Sequence, residues 1–192
     1  MKKLFLTLLV VIISLACSAE VMPTVTPEPV TLKVFDQVTD DGNIYTSKDF
    51  FDVGFKEYKE YNVLKLPGAT EAWYGYWGPD EDSDVYYELR FYPDYSTAVS
   101  DGTPFAKDDT GEGAKLRRQE TMWRTGLADR KMDASCQQRY NLQRSSISGE
   151  CGSRLSKYAD YMIFNNVIIL CEGVDSKEAF ELCDDLVDLV GR

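Results

Sequence analysis

The sequence predicts an α+β fold: an antiparallel sheet built from hairpins, with helices packed on one face, in a single domain. Two observations carry this. Strand-forming runs come in adjacent pairs joined by turn residues, 71–78 with 84–92 and 158–164 with 167–171. Each pair is followed by apolar residues at helical spacing, so hairpin and helix alternate twice.

Residues 31–38 hold enough β-branched and apolar side chains for a first strand, and Asp40-Asp41-Gly42-Asn43 is a turn signal. Ser47 is placed to cap a short helix whose contacts would be Phe50, Phe51, Val53, Phe55 and Tyr58, with Gly54 speaking against it. Trp73-Tyr74-Gly75-Tyr76-Trp77 is rich in strand formers. In the partner strand Val85, Tyr87, Leu89 and Phe91 fall on one face, which should meet the core. Tyr86, Glu88, Arg90 and Tyr92 fall on the other. Asp94 begins a short helix through Tyr95, Ala98 and Val99, with Gly102 as its stop. Residues 103–157 show no clear period. Near the C-terminus, Asn165-Asn166 between two apolar runs reads as a type I′ hairpin turn, because Asn tolerates the positive φ that turn requires. Asp175 or Ser176 then opens a helix with Ala179, Phe180, Cys183, Leu186, Val187 and Val190 on one stripe. That stripe should pack on Val167, Ile169, Met162 and Phe164.

The N-terminus carries a different message. Lys2 and Lys3 precede an apolar run over residues 4–13, broken only by Thr7. A membrane-spanning helix needs roughly 20 residues, so this run reads as the core of a secretory signal. Ser14-Leu15-Ala16-Cys17 follows. It resembles the lipobox of bacterial lipoproteins, although Ser14 and Leu15 depart from its commonest form. The resemblance implies export, acylation (palmitate among the chains) of Cys17 as the first mature residue, and a membrane anchor on the extracytoplasmic side of the cell envelope. Ordinary cleavage after Ala19 is the alternative. Residues 18–30, with Pro23, Pro27 and Pro29, form an extended tether at ~3.1 Å per residue. The organisation expected is therefore a signal peptide over 1–17, a tether over 18–30 and one domain over 31–192.

Setting Cys17 aside, Cys136, Cys151, Cys171 and Cys183 are an even number in an exported chain, which suits two disulfides. Three connectivities are possible, and closeness in sequence favours Cys136–Cys151 and Cys171–Cys183.

With no histidine in the chain, Ser-His-Asp and Cys-His activation are excluded. No zinc-ligand spacing or glycine-rich phosphate loop is present. No cofactor, metal or catalytic residue is assigned. The net charge is −11, and nucleic acid is not an expected partner. Yet residues 115–157 hold ten basic and four acidic residues, a block suited to anionic head groups or wall polymers, or to pairing with the acidic remainder.

The aromatic run supplies the candidate binding residues: Trp73, Tyr76, Trp77, Tyr86, Glu88 and Arg90. A sheet covered on one side leaves such rings partly exposed, suited to sugar rings or a protein partner. Asp80, Asp82 and Asp84 alternate like the start of an EF-hand loop, but Val85 and Phe91 stand where that loop needs Gly and Glu. The function expected is an envelope binding or interaction module. The alternative is a carboxylate-dependent hydrolase of envelope glycans.

Overall fold

The structure is a computed structural model, and it describes residues 36–78, 84–132 and 155–192. The expected Cys17 lipidation, the tether, the Cys136–Cys151 pairing, and Asp80 and Asp82 lie outside these residues.

The chain forms a six-stranded, mostly antiparallel sheet. Its strands are β1 (Val38–Thr39), β2 (Lys56–Glu60), β3 (Glu71–Trp77), β4 (Val85–Phe91), β5 (Tyr158–Phe164) and β6 (Val167–Glu172). Their order across the sheet is β1-β5-β6-β4-β3-β2. Only β1, a two-residue edge, runs parallel to its neighbour β5. The hairpins β3–β4 and β5–β6 are the expected ones, and β4 joins them by pairing with β6.

Helix α1 (Ser47–Asp52) begins at Thr46, whose backbone N–H donates to the Asp49 carboxylate at 2.7 Å. The cap is thus one residue earlier than Ser47, whose hydroxyl donates instead to Glu71. Gly54, at φ +96°, turns the chain out of the helix. Tyr58 is therefore not on α1 but on the edge strand β2.

After β4, Asp94 accepts a hydrogen bond from the Thr97 N–H and opens α2 (Tyr95–Thr97). Gly102 does not stop this segment. The backbone passes through a π-helical turn (Ala98–Gly102) into α3 (Thr103–Asp109). Gly102 keeps right-handed helical φ and is small for another reason: a Cβ there would come within 2.5 Å of the Tyr92 hydroxyl and the Ile168 methyl. Helix α4 (Ser176–Val190) opens on Asp175, whose carboxylate accepts from the Glu178 N–H.

Alternation along the strands builds two cores. On one face Val85, Tyr87, Leu89 and Phe91 of β4 join Met162, Phe164, Val167 and Ile169, with Phe50 of α1 and Ala179, Cys183, Leu186 and Val187 of α4 above them. Cys171 of β6 and Cys183 of α4 form a disulfide across this core, so that pairing is as expected. The second face is covered as well. Ala98 and Ala106 of the helical segment pack on Tyr92, Tyr161, Ile163, Ile168 and Leu170, and Trp123 packs on Tyr61, Ala72 and Tyr74. Cover on both faces differs from the one-sided packing expected. Residues 103–132, which carry no period, supply much of it.

The hairpin turn at Asn165-Asn166 is present, but Asn165 alone has positive φ (+52°), so it is not the type I′ turn expected, which needs positive φ at both positions. Both asparagines are buried. Asn166 donates to the carbonyls of Tyr45 and Tyr92 and accepts from the Tyr45 N–H, which ties the hairpin to two other segments. Among the described residues, no helix is long and apolar enough to cross a membrane.

Candidate functional site

The candidate binding residues separate onto the two sheet faces. Cross-strand neighbours share a face. Trp73 opposes Leu89 and Trp77 opposes Val85, so both indoles lie on the α1/α4 side. Trp73 meets the Phe51 ring edge-on and donates its indole N–H to Glu71. Tyr76 opposes Tyr86, Tyr74 opposes Glu88 and Ala72 opposes Arg90, all on the second face. That face has a clamped half and an open half.

In the clamped half, Glu88 and Arg90 are fully buried, contrary to their expected exposure beside the aromatic rings. The reason is charge compensation by two residues from the irregular region. Asp109, the last residue of α3, and Arg130 complete a quartet with no net charge. Arg90 donates its Nε–H to Glu88 Oε1 at 2.7 Å and its Nη2–H to Asp109 Oδ2 at 2.5 Å. Arg130 donates to both Glu88 oxygens at 2.7 and 3.0 Å, and to Asp109 at 3.3 Å. Arg130 also donates to the carbonyls of Trp123 and Thr125. Both guanidinium groups lie over the buried Trp123 ring, at 5.0 and 4.6 Å from its centre. Burial disfavours an ionised Glu88, but Arg130 and Arg90 outweigh it and hold its pKa below the ordinary value. For Asp109 burial wins over the same two arginines, and its pKa is raised. The quartet seals residues 116–130 onto the sheet. Its carboxylates are spent on arginines and closed to solvent, which is the geometry of a clamp and not of an acid/base pair.

The open half is a shelf of tyrosines. Tyr58 rests edge-on against Tyr74 at 5.8 Å, Tyr74 stacks on Tyr86 at 5.6 Å, and Tyr86 meets Tyr76 at 5.8 Å. Tyr61 continues the row inward, parallel to Tyr74. Tyr58 on the edge strand is 72% exposed and Tyr86 on β4 37%, while Tyr74 on β3 between them is 7% exposed. An irregularity in β2 between Glu57 and Lys59 sorts its charges. Lys56 opposes Tyr76 and Lys59 opposes Tyr74, on the shelf side, whereas Glu57 and Glu60 oppose Gly75 and Trp73 on the other. The Lys56 ammonium lies 5.3 Å from the Tyr76 ring centre. Lys157 lies 4.8 and 5.0 Å from those of Tyr74 and Tyr86, and donates to the Tyr74 hydroxyl.

Carboxylates share this rim. Asp129 accepts from the Tyr61 hydroxyl at 2.7 Å and from Lys59 at 3.0 Å. Burial works against ionised Asp129, but these two partners outweigh it and lower its pKa. Glu172 accepts from the Tyr86 backbone N–H. Burial, then Asp84 and Glu172, raise the Tyr86 pKa, so its hydroxyl stays protonated and able to donate. Chemically the shelf offers the exposed parts of the Tyr58 and Tyr86 rings, with ammonium donors and carboxylate acceptors around them.

Of the residues selected from sequence, Tyr76 and Tyr86 belong to the shelf, Glu88 and Arg90 to the clamp beside it, and Trp73 and Trp77 to the opposite core. Sequence reasoning missed Lys56, Tyr58 and Lys157 on the shelf, and Asp109, Trp123 and Arg130 in the clamp. One signal for the clamp was present: Glu88 and Arg90 stand at i and i+2 in a strand of Val, Tyr, Leu and Phe, where two charges on one face imply partners from elsewhere.

Comparison with curated proteins and with solved structures returns no match. A family model spans the described domain from just before α1 to the C-terminus, taking in both shelf and clamp. The chain belongs to the family of unknown function DUF6810, whose model matches residues 46–192.

Proposed function

We propose that this protein is an exported, lipid-anchored binding module of the cell envelope that holds a glycan strand on its tyrosine shelf. The observation that carries the reading is that Tyr58 and Tyr86 stand exposed in a tyrosine row completed by half-buried Tyr76 and buried Tyr74 on a rigid sheet. A row of this kind left open to water favours recognition over packing, because each exposed ring forgoes burial that a core position would give it. The mixed rim of Lys56, Lys59, Asp129 and Glu172 supports a polyhydroxylated ligand, which both donates and accepts hydrogen bonds.

Export and the anchor rest on the N-terminal residues, Ser14 to Cys17 above all. Mass spectrometry of the mature N-terminus tests them: a diacylated or triacylated Cys17 is expected, and an unmodified chain starting at Glu20 contradicts it. Titration of the chain with soluble envelope glycan fragments, followed by calorimetry, tests the shelf. Saturable heat is expected. Heat only with a protein partner would move the reading from glycan to protein recognition. The hydrolase alternative gains nothing from Glu88 and Asp109, which are neutralised by Arg90 and Arg130 and out of reach of any substrate.

A further inference from the structure

We propose that the turn over residues 117–124 is a docking surface for an anionic lipid bilayer, distinct from the tyrosine shelf. The turn is part of the cover on the second sheet face and is held rigidly. Leu116, Thr121 and Trp123 are buried beneath it. Glu120 and Thr121 both donate their N–H to the Arg117 carbonyl at 2.9 Å, and the Met122 N–H donates to Asp108. Between these anchors Arg117, Arg118, Gln119, Glu120, Met122 and Arg124 face solvent. Met122 is 50% exposed, with Arg118 four residues before it and Arg124 two after, although a Met side chain ordinarily sits in the core.

The charges here are only partly compensated. Arg117 pairs with Glu120, and the adjoining Lys115 with Asp108. Arg118 and Arg124 are exposed and form no ion pair among the described residues. Across the sheet the sign reverses. Helix α4, on the opposite face, carries Glu178, Glu181, Asp184, Asp185 and Asp188 against the single cation Lys177. The turn thus marks a basic side and α4 an acidic side, although the α2–α3 segment on the turn's face also carries Asp94, Asp101, Asp108 and Asp109 against Lys107. Near a negatively charged bilayer the basic side is drawn in and the acidic side is turned away. An apolar tip flanked by arginines suits the head-group boundary, where the thioether leaves water while the guanidinium groups stay with phosphates.

The test follows amide hydrogen exchange in the full chain with vesicles of phosphatidylglycerol and phosphatidylethanolamine, or of phosphatidylcholine alone. Slowed exchange over residues 117–124 is expected with the anionic vesicles only, and added salt should reverse it. The docked-to-undocked ratio should fall about fivefold for each of Arg118→Gln and Arg124→Gln. Both side chains are exposed, so the variants keep the fold, and unchanged exchange in β3 to β6 checks this. The proposal is overturned by no slowing with anionic vesicles, by equal slowing with phosphatidylcholine, or by slowing that survives both substitutions. Equal slowing by soluble polyphosphate without vesicles overturns the bilayer assignment in favour of a wall polymer. Vesicle flotation reads the lipid anchor separately, so failure of the anchor and failure of the turn are distinguishable.

Discussion

Replacing Arg130 by Met removes one member of the buried quartet with little loss of volume. Five hydrogen bonds go: two to Glu88, one to Asp109, and one each to the carbonyls of Trp123 and Thr125. Glu88 and Asp109 then share Arg90 alone, leaving one excess negative charge where all three side chains are at most 1% exposed. Breaking a buried pair from one side costs about 3–5 kcal/mol. The two orphaned carbonyls add to this unless water reaches them, so the expected loss is about 4–6 kcal/mol. Total stability of a domain this size is roughly 5–15 kcal/mol, so the variant should sit near the edge of folding. Urea unfolding followed by tryptophan fluorescence reads it. The double variant Arg130→Met with Glu88→Gln keeps the Arg90–Asp109 pair and restores neutrality. It should therefore be more stable than Arg130→Met alone, despite carrying one more substitution. A loss below about 1 kcal/mol for Arg130→Met, or a double variant at the sum of the two single losses, would refute the account of the quartet as a coupled clamp.

Three further outcomes are expected. Because Glu88 has a lowered pKa in the folded state, its contribution is fully present above its ordinary value of 4.5 and is lost as pH falls below it. Asp109 acts oppositely, since its raised pKa lets the folded chain bind a proton more readily than the unfolded one. Glu88→Gln should consequently lose less melting temperature than the parent on going from neutral to acid pH, and equal losses would count against the assignment. Reducing Cys171–Cys183, which closes a loop of sequence separation 12, should lower stability by about 3 kcal/mol in the chain-entropy model, read by unfolding with and without reductant. Gly75→Ala would place a Cβ against the Lys56 carbonyl and 2.6 Å from the Phe55 ring. It should cost about 1–3 kcal/mol and detach β2, raising amide exchange over residues 56–60 while β4 to β6 keep theirs.

Local rules explain why part of this fold was legible. The β4 alternation identified Val85, Tyr87, Leu89 and Phe91 as core, and the Asn165-Asn166 turn with the stripe on α4 placed Cys183 over Cys171. These depend on periods of two and 3.6 residues that a single segment displays by itself. The clamp depends on no period. Asp109 and Arg130 lie 21 and 42 residues from Glu88, and only the folded chain brings them to it. Hence Glu88 and Arg90 read as exposed when they are buried. Gly102 misled for a related reason: glycine reads as a helix stop, but here its lack of a side chain admits Tyr92 and Ile168. The aromatic spacing from Phe50 to Tyr58 suits one helix, but Gly54 at positive φ diverts the chain into an edge strand that carries Tyr58. The shelf was half legible, because Tyr76 and Tyr86 pair within one hairpin, whereas Lys56, Tyr58 and Lys157 come from other segments.

The most direct test of the binding account compares the parent chain with Tyr58→Ala and Tyr86→Ala in calorimetric titration against soluble envelope glycan fragments. Neither ring is needed for the core, so both variants should unfold like the parent. Ring stacking contributes about 0.5–1.5 kcal/mol for each aromatic contact, so each substitution should weaken binding several-fold and the pair should weaken it beyond either alone. Binding by the parent that neither substitution changes, or a parent that binds no glycan at all, would contradict the tyrosine shelf as the recognition surface.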